Sequence, residues 1–196
     1  MVSTHDLRSR LEGSPDGQLV VLLRDERNVM AFEMLLKRYQ APIYGFILRQ
    51  VGDRQRAEDL FQETFLRVYH RIDTCKQPEA FKPWAFAIAA NLCRNEARRQ
   101  QVRQGEQPSP AVDGHPARGP DPESAVQRSQ ARRKIEQALA ALPDVQREVF
   151  VLYHYTRLSY DEIAEATEVP VGTVKSRMNA ALTGLRGLLT ELKREA

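Results

Sequence analysis

Hydrophobic residues recur at helical spacing along most of this chain, and they predict an all-α protein. The apolar positions from 19 to 51 and from 57 to 68 follow the 3.6-residue period that places them on one face of a helix. A further stripe begins at Trp84, inside a helix that the pattern predicts over 84–99. We find no segment that alternates with the two-residue period of a half-buried strand.

The last third of the chain predicts a helix-turn-helix over 158–185. Ser159 and Glu162 have the spacing of a capping box, and Pro170 ends the turn because proline cannot occupy a helix interior. The second helix has Val174 and Met178 on its apolar stripe and a polar, cationic opposite face. That opposite face consists of Thr173, Lys175, Ser176, Arg177 and Asn179. Such a helix suits the major groove of DNA, although two helices joined by a turn are also common in bundles.

Composition changes abruptly over 101–127. This segment contains five prolines and three glycines and lacks Leu, Ile, Phe, Tyr and Trp. It cannot bury enough apolar surface to fold by itself. We therefore expect a flexible linker there, between a helical domain over 16–100 and a second one over 128–194.

Overall composition excludes several classes of protein. The net charge of +3 favours a polyanionic partner only weakly. Two cysteines and four scattered histidines offer no zinc-ligand spacing, and we find no catalytic triad or glycine-rich phosphate loop. We therefore expect no catalytic residue, cofactor or metal. Neither a secretory signal nor an apolar run of about 20 residues is present, so we expect a cytoplasmic protein without membrane insertion.

Two strings resemble one known family. PVGTVKSR at 170–177 closely resembles the promoter-reading helix of bacterial sigma-70 factors, specifically of the small extracytoplasmic-function (ECF) group. AEDLFQETFLRVY at 57–69 resembles the sigma region 2 helix that docks on core RNA polymerase. The resemblance covers about 16–192, with both motifs in the family's order. It implies a promoter-specificity subunit that binds core polymerase, recognises −35 and −10 elements and helps to open the duplex.

The resemblance also assigns roles to particular residues. The polar face of the helix-turn-helix listed above would read the −35 element. Asp59, Gln62 and Glu63 would face the clamp coiled coil of the largest polymerase subunit. The loop 75–80 would capture a flipped base of the −10 element. The expected −10 residues are Cys75, Lys76, Asn91, Arg94, Asn95, Arg98 and Arg99. The implied partners are core RNA polymerase, promoter DNA and an anti-sigma factor.

Two other functions stay open on the residues alone. A stand-alone helix-turn-helix regulator would bind an operator without polymerase, and it would need a dimer interface that the sequence does not offer. An interaction adaptor would use its helices only for protein partners and would show no salt-dependent DNA binding. Binding to purified core polymerase separates the sigma factor from both.

Overall fold

A computed structural model describes residues 11–104 and 133–194, and every regular element in these two ranges is helical. The helices of the first range are α1 (Asp16–Glu26), α2 (Val29–Val51), α3 (Arg54–Arg71) and α4 (Phe81–Gln104), with short 3-10 turns at Ile72–Thr74 and Pro78–Ala80. The helices of the second range are α5 (133–140), α6 (Asp144–His154), α7 (Tyr160–Thr167) and α8 (Val171–Arg194). The predicted all-α class is confirmed.

Local signals set the ends of α2 and α3. The Asn28 side chain accepts a hydrogen bond from the Ala31 N–H at the start of α2. Gly52 ends α2 with a φ of 72°, a left-handed conformation that glycine adopts without steric cost. The helix runs unbroken through Pro42, although a proline in a helix interior removes one backbone hydrogen bond. Asp53 then caps α3 by accepting from the Arg56 N–H at 2.8 Å.

The helix α4 is longer at both ends than the predicted 84–99. It begins at Phe81, and Pro83 is tolerated because the first-turn N–H groups of a helix have no intrahelical acceptor. It continues to Gln104, so the first four residues of the predicted linker are helical. The rest of that predicted linker lies outside the described residues.

Large apolar side chains from α1, α2 and α4 fill the first half of the fold. The largest fully buried ones include Leu19, Leu23, Leu35, Ile43, Phe46, Phe81 and Phe86. The rings of Phe46 and Phe86 meet edge to face, with centroids 5.8 Å apart. This packing fixes α4 against α2 and orients the polar end of α4.

The second half of the fold rests on a close approach of α8 to the end of α5. Buried residues here are Ala138, Leu139, Leu142, Ala181 and Leu185. A Cβ at Gly184 would lie 2.9 Å from Leu142 Cδ2, so the absence of a side chain at Gly184 allows this approach. The same helix α8 packs along α6 and α7.

The two halves pack against each other. The helix α7 lies on α4, and α6 lies on the C-terminal part of α2. Val149, Leu152 and Ile163 from the second half are fully buried within the same apolar cluster as the core of the first half. We call the α4–α7 and α2–α6 packing the interdomain contact.

Candidate nucleic-acid interface

The helix α8 presents the predicted polar face to solvent. Val174 and Met178 are buried, whereas Lys175, Ser176 and Asn179 are exposed and Thr173 and Arg177 are half-buried. The Ser176 hydroxyl donates to the Thr173 carbonyl at 2.9 Å, so its lone pairs remain free to accept. The five predicted −35 residues thus lie on the first turns of one helix, where a major-groove reader contacts bases.

A complete capping box holds α7, the helix before the recognition helix. The Ser159 N–H donates to Glu162 Oε2 at 2.7 Å, and the Glu162 N–H donates to Ser159 Oγ at 3.2 Å. Glu168 then takes a left-handed conformation at φ 56° and turns the chain into α8. The helix-turn-helix predicted over 158–185 is therefore present, although α8 runs on to Arg194.

The C-terminal end of α4 carries the cationic residues expected at the −10 element. Asn95, Arg98 and Arg99 line a shallow cleft together with Val102. Asn95 and both arginines are exposed, and no described carboxylate forms an ion pair with Arg98 or Arg99. Guanidinium groups at the end of a helix can bind phosphate, and they also stabilise the negative end of the helix dipole.

Cys75 corrects one expectation. Its thiol is 2% exposed, and Sγ lies 3.5 Å from the Gln77 carbonyl oxygen. Burial raises the pKa of this thiol to about 11. The 3-10 turn at Ile72–Thr74 directs the side chain inward, so the expected contact between Cys75 and a base is wrong for this conformation. Lys76, the next residue, is exposed.

The acidic face of α3 is where the sequence places it. Asp59 and Gln62 are exposed, and Glu63 is half-buried beside Arg67, whose Nη2 lies 2.5 Å from Glu63 Oε1. Leu66 lies on the same face, one turn further on, and is 60% exposed. The periodicity did not single out Leu66, yet an apolar side chain left off the buried stripe is the signal that could have found it.

The interdomain contact contains two of the expected −10 residues. Arg94 Nη1 donates to Glu148 Oε1 at 2.6 Å, and Arg94 Nη2 donates to Asn91 Oδ1. Glu148 is almost fully buried, and this burial raises the pKa of its carboxyl group, against the opposing effect of Arg94. In this conformation, the side chains of Arg94 and Asn91 are therefore already hydrogen-bonded within the protein, whereas those of Asn95, Arg98 and Arg99 are exposed to solvent.

A second polar cluster joins α2 to the other half. Arg49 Nη2 lies 2.8 Å from Glu136 Oε1, and its guanidinium lies 4.1 Å from the centre of the Tyr155 ring. Arg147 donates to the Ala140 carbonyl at 2.9 Å and to the Gln50 carbonyl at 3.3 Å. Sequence reasoning missed this cluster, because a charged residue on a helix is normally solvated.

Metal clusters and membrane-spanning helices are both absent from the described residues. Within 11–104 and 133–194, no cluster of three or more His, Cys, Asp or Glu side chains is arranged to hold a metal ion. Among the helices of these same ranges, none combines the length and apolar character needed to cross a membrane.

Comparison with family models gives two matches. The model of sigma-70 region 2 matches residues 35–103, and the model of sigma-70 region 4 matches residues 132–184. The RNA polymerase sigma-H factor of Pseudomonas aeruginosa is 32% identical over 173 residues, which covers 85% of this chain and 90% of that protein. The ECF RNA polymerase sigma factor SigW of Bacillus subtilis is 33% identical over 169 residues, covering 83% and 90%.

Two solved structures have the same fold. The sigma factor RpoE of Bartonella quintana, in complex with the anti-sigma factor NepR, aligns with a TM-score of 0.69 at 24% identity, covering 81% of this chain and 96% of that one. CnrH, in complex with the cytosolic domain of CnrY, aligns with a TM-score of 0.68 at 22% identity, covering 91% and 99%.

Proposed function

We propose, from the premise that this chain belongs to the sigma-70 family and to its ECF group, that its two helical halves read the two elements of a promoter. A sigma factor binds core RNA polymerase and directs promoter-specific initiation, and that is the function of this chain. It is not an enzyme, since nucleotidyl transfer belongs to the core. The assignment of residues to each step is our proposal.

We assign −35 recognition to α8. The observation that carries this assignment is the division of the helix into a buried stripe at Val174 and Met178 and an outward polar face. Lys175 and Asn179 lie one helical turn apart on that face and have no described side-chain partner. Asn179 can offer an amide to a base edge, and Lys175 can offer a point charge to phosphate or guanine.

We assign −10 binding to the end of α4 and to the loop before it. Arg98 and Arg99 supply positive charge for the phosphates, and Asn95 supplies an amide for a base edge. Lys76 is the exposed cation of the loop, whereas the neighbouring Cys75 is buried. Arg94 and Asn91 belong to the same helix, but in this conformation they bind Glu148 and each other.

We assign polymerase docking to the acidic face of α3. Asp59 and Gln62 present a carboxylate and an amide to solvent, and Leu66 adds an exposed apolar contact. Acidic groups against a basic partner increase association rate and fix orientation more than they increase affinity. Apolar Leu66 would supply part of the affinity, because burying it removes its surface from water.

Charge reversal tests the docking face. Asp59→Lys replaces an attraction by a repulsion, and exposed pairs are each worth about 0.2–1 kcal/mol. We therefore expect the affinity for core polymerase to fall by roughly 2- to 30-fold, with unchanged helix content. Glu26→Lys, an equal charge change at the exposed end of α1, is the matched control and should bind normally. Equal binding by both variants would remove α3 from the interface.

Reconstituted transcription tests the function as a whole. The chain is combined with core polymerase and given a promoter library randomised at both elements. Enrichment of one −35 and one −10 sequence, dependent on the chain, is expected. Specific DNA binding that is equally strong without core polymerase would instead favour a stand-alone regulator.

We further propose the cellular setting of this chain. The domain limits 16–100 and 128–194 delimit its sigma regions 2 and 4, and the segment 101–127 connects the two regions. The cytoplasm is its compartment, because core polymerase and promoter DNA are there. An anti-sigma factor is its regulatory partner, since the sigma factor RpoE of Bartonella quintana, which has the same fold, is in complex with the anti-sigma factor NepR. Co-purification of a bound inhibitor with the tagged chain tests that partner.

A further inference from the structure

We propose that α1 supports the loop 75–80, and that Gly17 and Glu79 are positioning residues for −10 recognition. Both act through Gln77, an exposed amide at the tip of this loop, which reads an edge of the captured base. The inference deepens the proposed function and rests on it, because it takes the assignment of this loop to the −10 element as given.

The helix α1 lies along both ends of the loop. It packs on the 3-10 turn at Ile72–Thr74, which precedes the loop, and on the 3-10 turn at Pro78–Ala80, which ends it. Three residues of α1 are fully buried in the core: Leu19, Val20 and Leu23. Within 75–80, by contrast, Cys75 alone is buried. The loop therefore takes its position from α1, since a helix seated in the core is the more rigid of the two.

A single arginine fixes the near side of the loop. Arg27 follows the last residue of α1, and its Nη2 lies 2.6 Å from Asp73 Oδ2. Its Nη1 donates to the Tyr69 carbonyl at 3.5 Å, so one guanidinium joins the end of α3 to the first 3-10 turn. Both charged side chains are about half exposed, and such a pair adds little stability. Its effect is to orient the turn that leads into the loop.

The start of α1 is fixed on α2. Asp16, the first residue of α1, accepts a hydrogen bond from Arg38 Nη1 at 2.7 Å and another from the Tyr39 hydroxyl. The Tyr39 ring is buried and meets the Phe81 ring edge to face, with centroids 5.2 Å apart. Phe81 is the first residue of α4, directly after the loop. The start of α1 and the far side of the loop thus contact the same tyrosine, which leaves the first turn of α1 little freedom to move.

Glu79 lies against that first turn at Gly17. A Cβ at Gly17 would lie 3.2 Å from Glu79 Oε1 and 3.5 Å from its Cδ, and the nearer distance is tighter than an ordinary van der Waals contact. The absence of a side chain at Gly17 therefore leaves the space that the Glu79 carboxylate occupies. A carboxylate is also favoured there, because the first turn of a helix has N–H groups without intrahelical acceptors and a partial positive charge. A side chain at position 17 must displace Glu79 by a few tenths of an ångström.

Gln77 receives that displacement, because it lies two residues before Glu79. Its main-chain carbonyl accepts from the Ala80 N–H at 2.9 Å and lies 3.5 Å from Cys75 Sγ. The carbonyl is therefore turned towards the protein, whereas the side chain is exposed. An amide reads a base edge only when it is held within about 0.5 Å of the productive position. A shift of the loop by a few tenths of an ångström is enough to weaken that reading.

Promoter selection with core polymerase measures the effect. The library is randomised at both elements, and the base preference is determined at each position. Gly17→Ala should lower the preference at the −10 position read by the loop at least about threefold, where a full bidentate base contact is worth roughly 5- to 150-fold. Gly17→Leu, with the same Cβ and a larger side chain, should lower it further. Preference at the −35 element should not change, because α8 carries that assignment.

Stability separates positioning from a general structural role. Alanine and leucine both have a higher helix propensity than glycine, so neither variant should lower Tm. Gly187→Ala and Gly187→Leu are the matched controls, because Gly187 is an exposed helical glycine whose Cβ would have no neighbour within 4 Å. Both controls should leave the −10 and the −35 preferences unchanged.

Paired variants test the route from Gly17 to the base. Glu79→Ala and Gln77→Ala should each lower the same −10 preference. Adding Gly17→Leu to either variant should cause no further loss, since the effects of residues that act through one another do not add. A further loss of the same size in both backgrounds would show that Gly17 acts independently of Glu79 and Gln77.

The outcomes separate this inference from the proposed function. A selective loss at the −10 element, with no fall in Tm and no further loss in the paired variants, supports the inference. An unchanged −10 preference in Gly17→Leu overturns it, as does an equal loss at both elements, a lower Tm or an additive loss in the paired variants. Promoter selection by the unmodified chain then still stands. If the unmodified chain selects no −10 sequence with core polymerase, the proposed function fails instead.

Discussion

Removal of one hydroxyl from the capping box measures how much α7 depends on its first turn. Ser159→Ala deletes the acceptor of the Glu162 N–H and leaves the Ser159 N–H bonded to the Glu162 carboxylate. The helix has 8 residues, so its first four N–H groups are half of its amides. A longer helix would lose a smaller share of its hydrogen bonding from the same change.

The expected cost follows from the exposure of the site. Loss of an N-cap side chain costs about 0.5–2 kcal/mol. The Glu162 N–H is exposed enough for water to replace the hydroxyl, and the other bond of the box survives, so we expect about 1 kcal/mol. Such a loss lowers Tm by about 2–4 °C if 150–250 residues unfold together, and by about 4–8 °C if a 60–100-residue unit unfolds alone.

Differential scanning calorimetry measures the shift in Tm and shows whether the two halves unfold together or separately. Because one apolar cluster contains Val149 and Ile163 together with the core of the first half, we expect a single transition and a shift of about 2–4 °C. Thr183→Ala is the matched control. It deletes an exposed hydroxyl that donates to the Asn179 carbonyl at 2.9 Å, and alanine has the higher helix propensity, so no loss of stability is expected.

Two results would refute this reasoning. A Ser159→Ala protein with the same Tm as the unmodified protein would show that the capping box adds no stability. Two separate transitions, of which only one moves, would show that the halves unfold independently and that the shared core does not couple them.

Three further predictions concern single side chains. Lys175→Ala and Arg177→Ala should each lower −35-dependent transcription by a factor equivalent to about 1–3 kcal/mol where the residue reads a base, or lower the salt slope of DNA binding by about 1 where it contacts phosphate. Arg186→Ala, on the same helix, is the control and should do neither. Unchanged transcription with both the Lys175 and the Arg177 variant would exclude α8 as the reader. The Cys75 thiol, with its pKa raised to about 11, should react slowly with a disulfide reagent at pH 8 until denaturant is added, whereas rapid reaction would place it at the surface. The raised pKa of Glu148 means that its charged form is disfavoured by folding, so stability to urea should fall as pH rises above the ordinary value of 4.5, and Glu148→Gln should flatten that fall. The charged groups that act on Glu148 are Arg94, Arg177 and Asp144. A slope that Glu148→Gln leaves unchanged would assign the pH dependence to other groups.

Elements encoded by local chemistry were predictable. The capping box at Ser159 is a hydrogen-bond pattern within four residues, and the stripe at Val174 and Met178 is set by helical period alone. Both were found because neither depends on distant parts of the chain. The ends of α4 were predicted less well, because Pro83 and the polar residues after Arg99 give breaker and solvation signals that a helix can still accommodate.

The orientation of Cys75 and the interdomain contact were not predictable from the pattern. A stripe indicates that one face of a helix is buried, but not what covers it. Glu148 looks like a surface carboxylate in the sequence, and only tertiary packing buries it beside Arg94. Cys75 follows polar residues and precedes a lysine, so its burial depends on a short 3-10 turn that carries no strong sequence signal.

The residues of the interdomain contact share one physical property that bears on function. Arg49, Arg94 and Arg147 are cations that the fold has partly removed from water; Arg49 and Arg94 each pair with a carboxylate of the other half, and Arg147 pairs with Asp144 of its own helix. Breaking a buried pair by removing one partner is costly, whereas separating both partners into water returns the hydration of each. Such pairs resist mutation of one side but contribute little against separation of the halves, which is opposed mainly by exposure of the shared apolar residues Val149, Leu152 and Ile163. A purely apolar contact of the same area would oppose separation of the two halves more strongly, because separation would expose apolar surface to water at about 25 cal/mol per Å².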